Sequence, residues 1–152
     1  MATYQERALD GASPVDLVVA LYDGIIRFLY VAIAAVERGD VRARRIAVKR
    51  ALAIVIHLQA RLRMDIGGRP AQVLSEFYAS MFALTVQASL GASVQRFEEA
   101  IGCVRSIRDA WKQVASEQAQ TGSSLASPAA KSRIVRLSPL PNETEDASRW
   151  TA

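Results

Sequence analysis

Glycines at 39, 67–68 and 91 divide most of the chain into four stretches of similar length, each with apolar residues at helical spacing. Few folds accept that pattern. Near-equal helices joined by connections of a few residues must pack as antiparallel neighbours. The first helix opens at Ser13 as N-cap, with Pro14 at the first helical position and Asp16 three residues after the serine, an acidic variant of the capping box. It runs to about Arg38 and stops at Gly39. The second spans about Val41 to Ile66 and ends at Gly67-Gly68. Pro70 opens the third, which continues to about Ser89 before Gly91 breaks it. Ser93 caps the fourth, which contains Trp111 and fades near Glu117. The β-branched residues sit at helical spacing, and no alternating run is bounded by hairpin turns. The expected fold is all-α: an antiparallel up-down four-helix bundle over residues 13–117. A short N-terminal arm, 1–12, precedes it. A Ser/Pro-rich tail, 118–152, follows and is expected to be disordered.

The first helix is more apolar than one bundle face requires. Val18, Leu21, Ile25, Leu29, Ala32 and Val36 form one stripe, the natural seam. Val19, Tyr22, Ile26, Tyr30 and Ile33 form a second strip beside it. Either another part of the chain covers that strip, or a partner does. The second helix shows a similar excess. Val41, Val48, Val55 and Leu62 recur every seven residues, while Ile54, Ile56 and Leu58 lie off that line. Gly24, inside the first helix, weakens it relative to alanine by roughly 1 kcal/mol and suggests close approach of a neighbour. Arg42, Arg45 and Lys49 share a face at the start of the second helix, where cations oppose the helix dipole. They read as a solvated face or as a surface for an acidic partner.

Several functions are excluded by what is missing. One histidine, His57, and one cysteine, Cys103, give neither a metal site nor a nucleophile–base pair. No phosphate-binding glycine loop or inward Glu-x-x-His motif exists, so no enzyme activity, cofactor or small-molecule substrate is expected. The opening "MATYQERALDGASP" is mixed and polar rather than signal-like, and the uninterrupted run Phe28 to Val36 is too short to span a bilayer. A cytoplasmic protein without membrane insertion is the expectation. Net charge is only +4, a weak argument for nucleic acid.

Over about residues 3–112 the chain resembles the flagellin-specific export chaperones, the FliS-type family. The resemblance rests on Tyr4, "GASPVDLVVALYDGIIRFL", "MDIGGRPAQVLSEFY" and the closing "SIRDAW", in that order and spacing. It implies a non-enzymatic helical bundle that binds the disordered C-terminal segment of flagellin in the cytoplasm. Such a chaperone prevents premature polymerisation and delivers its client to the flagellar type III export gate. The client would lie as short helices along apolar grooves, and the N-terminal segment would occupy part of that surface when no client is bound. On this basis Val19, Tyr22, Ile26, Tyr30, Ile33, Ile54, Ile56 and Leu58 are the expected groove residues, and Tyr4 the expected plug. The chief rival is a nucleic-acid-binding regulatory module that uses the basic start of the second helix; it predicts steeply salt-dependent binding to any duplex.

Overall fold

The structure, a computed structural model, describes residues 14–126, with side chains described to residue 122. Four helices account for most of it: α1 (Pro14–Glu37), α2 (Val41–Ala60), α3 (Gly68–Leu90) and α4 (Val94–Ala126). No strand occurs among the described residues. The bundle lies within a compact unit that ends at Gln113, and a second unit begins at Val114. Of that second unit, residues 114–126 are described and are helical as part of α4.

The contacts fix the up-down order. Arg105 and Arg108 of α4 bond to Tyr30 and Asp23 of α1, so the later residue on one helix meets the earlier on the other. A pocket wall pairs Arg45 with Ser89, whereas Gln59 bonds Ser75, so α2 and α3 are antiparallel too. Tyr22 reaches Tyr78 across the bundle from α1 to α3.

Each helix turns a stripe spaced by three and four residues into one core. On α2 it is Ala47, Val48, Ala51, Val55 and Leu58; on α3 it is Ala71, Tyr78, Met81, Thr85 and Ala88. Phe97, Ala100, Ile101 and Val104 complete it from α4. On α1 both strips are largely buried: Tyr22, Ile26 and Ile33 join Ile25, Leu29 and Ala32 in the core cluster. The reason is that α1 touches all three other helices. Its Gly24 lets α2 come near enough that an added methyl would sit 3.0 Å from Cδ1 of Ile54. The expected close approach at Gly24 is therefore present.

By length and composition α1 passes for a membrane span, contrary to the expectation drawn from its longest uninterrupted run. Its contacts nevertheless tie it to the bundle, with Tyr22 bonded to Tyr78 and Asp23 to Arg108.

The helix ends differ most from the sequence reading at the C-termini of α2 and α4. Helix α2 stops at Ala60 rather than near Ile66. The Arg61 N–H is shared between the carbonyls of His57 and Leu58, which tightens the last turn. The chain then turns back through a Gly67 N–H bond to the Arg63 carbonyl at 2.7 Å, and Ile66 is left 73% exposed rather than in the seam. At the end of α3 the helix stops at Leu90 with Gly91 as its C-cap, as the sequence reading has it; Gly91 keeps a negative φ, and Ala92 adopts the left-handed conformation, at φ 45°. By contrast, α4 continues to Ala126, past the expected fade near Glu117 and into residues assigned to the tail. Ala, Glu and Gln at 115–120 are good helix formers, and the Thr121 hydroxyl donates to the Glu117 carbonyl at 2.9 Å. Ser93 caps α4 as expected, its hydroxyl accepting from the Arg96 N–H. Ser13, the N-terminal arm and residues 127–152 of the tail lie outside the described residues.

Candidate functional site: an apolar groove between α2 and α3

An interhelical groove opens because the core stripes of α2 and α3 leave apolar side chains beside them. On α2, Val48, Val55, Ala51 and Leu58 face inward, so Leu52 and Ile56 fall along the flank that looks towards α3. On α3 the inward series Tyr78, Met81, Thr85 leaves Phe82 at its edge. The result is two adjoining pockets that share Ile56 and Phe82. One, of about 390 Å³, is lined by Arg45, Val48, Lys49, Leu52, Ala53, Ile56, Phe82 and Ser89. The other, of about 430 Å³, continues along Val55, Ile56, Gln59, Ala60, Ala79 and Phe82. Ile56 is 56% exposed and Phe82 38%, both large apolar groups open to a ligand.

The residues expected to form the groove divide sharply. Ile56 lies in it. Tyr22, Ile26, Ile33 and Leu58 do not: at 0%, 7%, 8% and 3% exposure they belong to the bundle core. Leu58 continues the inward series of Ala51 and Val55, a position that a search for strict sevenfold spacing from Val41 passes over. Val19 and Ile54 are half-buried, with Ile54 packed on the core and against Gly24. Tyr30 is exposed at the α1–α4 edge, where its hydroxyl accepts from Arg105 Nη2 at 2.6 Å. Tyr4 lies outside the described residues. Arg42, Arg45 and Lys49 are exposed, and the last two form one end of the groove.

Phe82, Leu52 and Val48 were missed as groove residues. The signal was available for Phe82. Placing residues 71–88 on a helical wheel puts Ala71, Tyr78, Met81 and Ala88 on one stripe and Phe82 immediately beside it, as a bulky ring with no place in the core.

Polar chemistry in the bundle is structural. The Tyr22 and Tyr78 hydroxyls are 2.6 Å apart in the interior. Burial pushes the Tyr22 phenol well above its ordinary value of 10.0, and the bond to Tyr78 adds to this. Burial likewise raises Tyr78. Both stay neutral, holding α1 to α3. No group of three or more metal-ligating side chains occurs among the described residues. What the groove can do is hold an apolar helix or strand edge, with cations at one end and a neutral Gln59–Ser75 pair at the other.

Known proteins give the groove its context. The family model described as "Flagellar protein FliS" matches residues 1–118. The flagellar secretion chaperone FliS of Salmonella typhimurium is 38% identical over 110 residues, covering 72% of this chain and 82% of that protein. The protein of the same name from Campylobacter jejuni is 33% identical over 111 residues, with 73% and 87% covered. That from Bacillus subtilis is 29% identical over 110 residues, with 72% and 81% covered. With the family model matched over most of its length and relatives above 30% identity, the chain belongs to the FliS family of flagellar secretion chaperones.

Proposed function

We propose that this chain is the cytoplasmic chaperone of a flagellin, holding the disordered C-terminal segment of its client in the α2–α3 groove until the flagellar export gate receives it. The observation that carries the reading is the groove itself, with Ile56 and Phe82 exposed at its centre. A disordered segment that folds on binding must recover its ordering entropy from contact area. Apolar anchors repeating turn by turn along a groove supply that area. Relatives named as flagellar secretion chaperones support the client class. Tyr4 is assigned the role of covering part of the groove in the free protein.

The test is co-purification with a C-terminal flagellin fragment. Ile56→Glu and Phe82→Glu change exposed positions, so the helical circular dichroism signal should persist while recovery of the fragment drops about a hundredfold, as expected for loss of central anchors. Retention of full binding by both variants would remove the groove from the client site.

A further inference from the structure

Charge is distributed along the groove in a way that the fold does not explain. Helix α2 contains Arg42, Arg44, Arg45, Lys49 and Arg50 and no Asp or Glu, and all five cations fall in its first half. There they oppose the helix dipole. The N-terminus is already served by Asp40, whose Oδ1 accepts from the Ala43 N–H at 2.9 Å. Asp40 also pairs with Arg38 at 3.6 Å, so it is committed elsewhere. Arg50 is drawn to the α1 side, its guanidinium lying 5.9 Å from the centre of the Phe28 ring. Arg45 and Lys49, one turn apart, instead line the groove, and neither takes part in an ion pair among the described residues. The facing stretch of α3, Phe77 to Leu90, has no carboxylate to answer them. At the far end, Gln59 and Ser75 satisfy one another without charge.

From this asymmetry we infer that the groove selects an amphipathic helical segment whose acidic residues are confined to one end, seated beside Arg45 and Lys49, with its apolar anchors on Leu52, Ile56 and Phe82. The inference rests on the groove being the client site and specifies the client segment it prefers. From Arg45 to Gln59 the wall is about four helical turns long at 1.5 Å per residue, so the acidic residues fall within roughly one turn of one end. Charged groups at the rim of such a site steer and orient the ligand, whereas the apolar anchors hold it. Reversing the segment would bring its carboxylates to Gln59, where the groove lining holds no cation.

Three synthetic helical peptides with the same leucine pattern test this by fluorescence anisotropy against the full chain. One carries three Glu at one end, the second carries Gln in their place, and the third carries the Glu at the opposite end. A site-directed spin label on each peptide, read against labels placed near Ser89 and near Ser75, reports its direction. The first peptide should bind about tenfold tighter than the second at low salt, and the preference should shrink as salt screens it. Both acidic peptides should place their Glu-bearing end near Ser89, so they should lie in opposite chain directions. In the exposed double variant Arg45→Glu/Lys49→Glu the preference for the Glu peptide over the Gln peptide should vanish or reverse. Equal binding of the Glu and Gln peptides would overturn the inference and leave the groove as the client site. Failure of every peptide to bind would overturn both. Tighter, steeply salt-dependent binding of duplex DNA at Arg45 and Lys49 would also overturn the inference.

Discussion

Tyr22 and Tyr78 are polar groups placed where α1 and α3 are otherwise apolar, and their mutual hydrogen bond makes their burial tolerable. Removing one hydroxyl leaves the other buried without a partner, at a cost of about 1–3 kcal/mol, whereas removing both is close to neutral. Tyr22→Phe and Tyr78→Phe should therefore each lower the urea midpoint, and the double variant should recover most of the loss in a double-mutant cycle. The pair also sets an alkaline limit. Folded phenols held above their ordinary value of 10.0 keep their protons while unfolded ones ionise. The unfolded state then binds fewer protons, so this contribution is complete below pH 10.0 and stability falls as pH rises past that value. Unfolding at pH 7 and at about 11 should show a smaller drop for the double variant than for the parent. An equal drop in both proteins would mean that the pair does not set the limit. From sequence Tyr22 read as a groove residue, because it lies on the second apolar strip of α1. Its partner lies 56 residues away, beyond any local pattern.

At the scale of the helix, two ends use the same closure with different residues. After α1, the Asp40 N–H bonds the Ala35 carbonyl and the Gly39 N–H that of Val36, with Gly39 at φ +70°. After α3, Ser93 bonds Ala88 and Ala92 bonds Ser89, with an alanine in the left-handed position. Glycine is free of the roughly 1–2 kcal/mol steric penalty that alanine meets there. Ala92→Gly should thus raise the melting temperature by several degrees, and no change would mean that the turn relaxes elsewhere. The opposite test is Asp40→Ala, which removes the side-chain cap from α2 and should cost about 1 kcal/mol. The sequence made the existence of all four helices legible because periodicity and breakers are local. The ends were less so. Gly91 does end α3, but that Ala92 takes the left-handed position follows from the register of the closing hydrogen bonds. Leu62 and Ile66 continued an apolar period that the backbone abandons at Arg61.

At the scale of the whole bundle, core and groove are made of the same residue types, so composition cannot separate them; the order of packing does. α1 contacts three helices at once, so residues that would form an external strip on a two-neighbour helix are enclosed here. Ile26 is 7% exposed within the core cluster, whereas Ile56, equally apolar and also expected in the groove, is 56% exposed on its wall. Burying an isoleucine contributes about 1.5–3 kcal/mol. A glutamate in its place must either ionise without a partner or remain protonated in the interior. The combined penalty is a large share of the roughly 5–15 kcal/mol that holds a domain together. Ile26→Glu should collapse the cooperative thermal transition and expose the core to amide exchange throughout α1 and α2. Ile56→Glu should shift the melting temperature by no more than a few degrees and lose client binding alone. The two substitutions make the same chemical change, so their difference reads out burial directly. A folded Ile26→Glu that had lost its client would return the second strip of α1 to the binding surface and require the bundle to open when the client arrives.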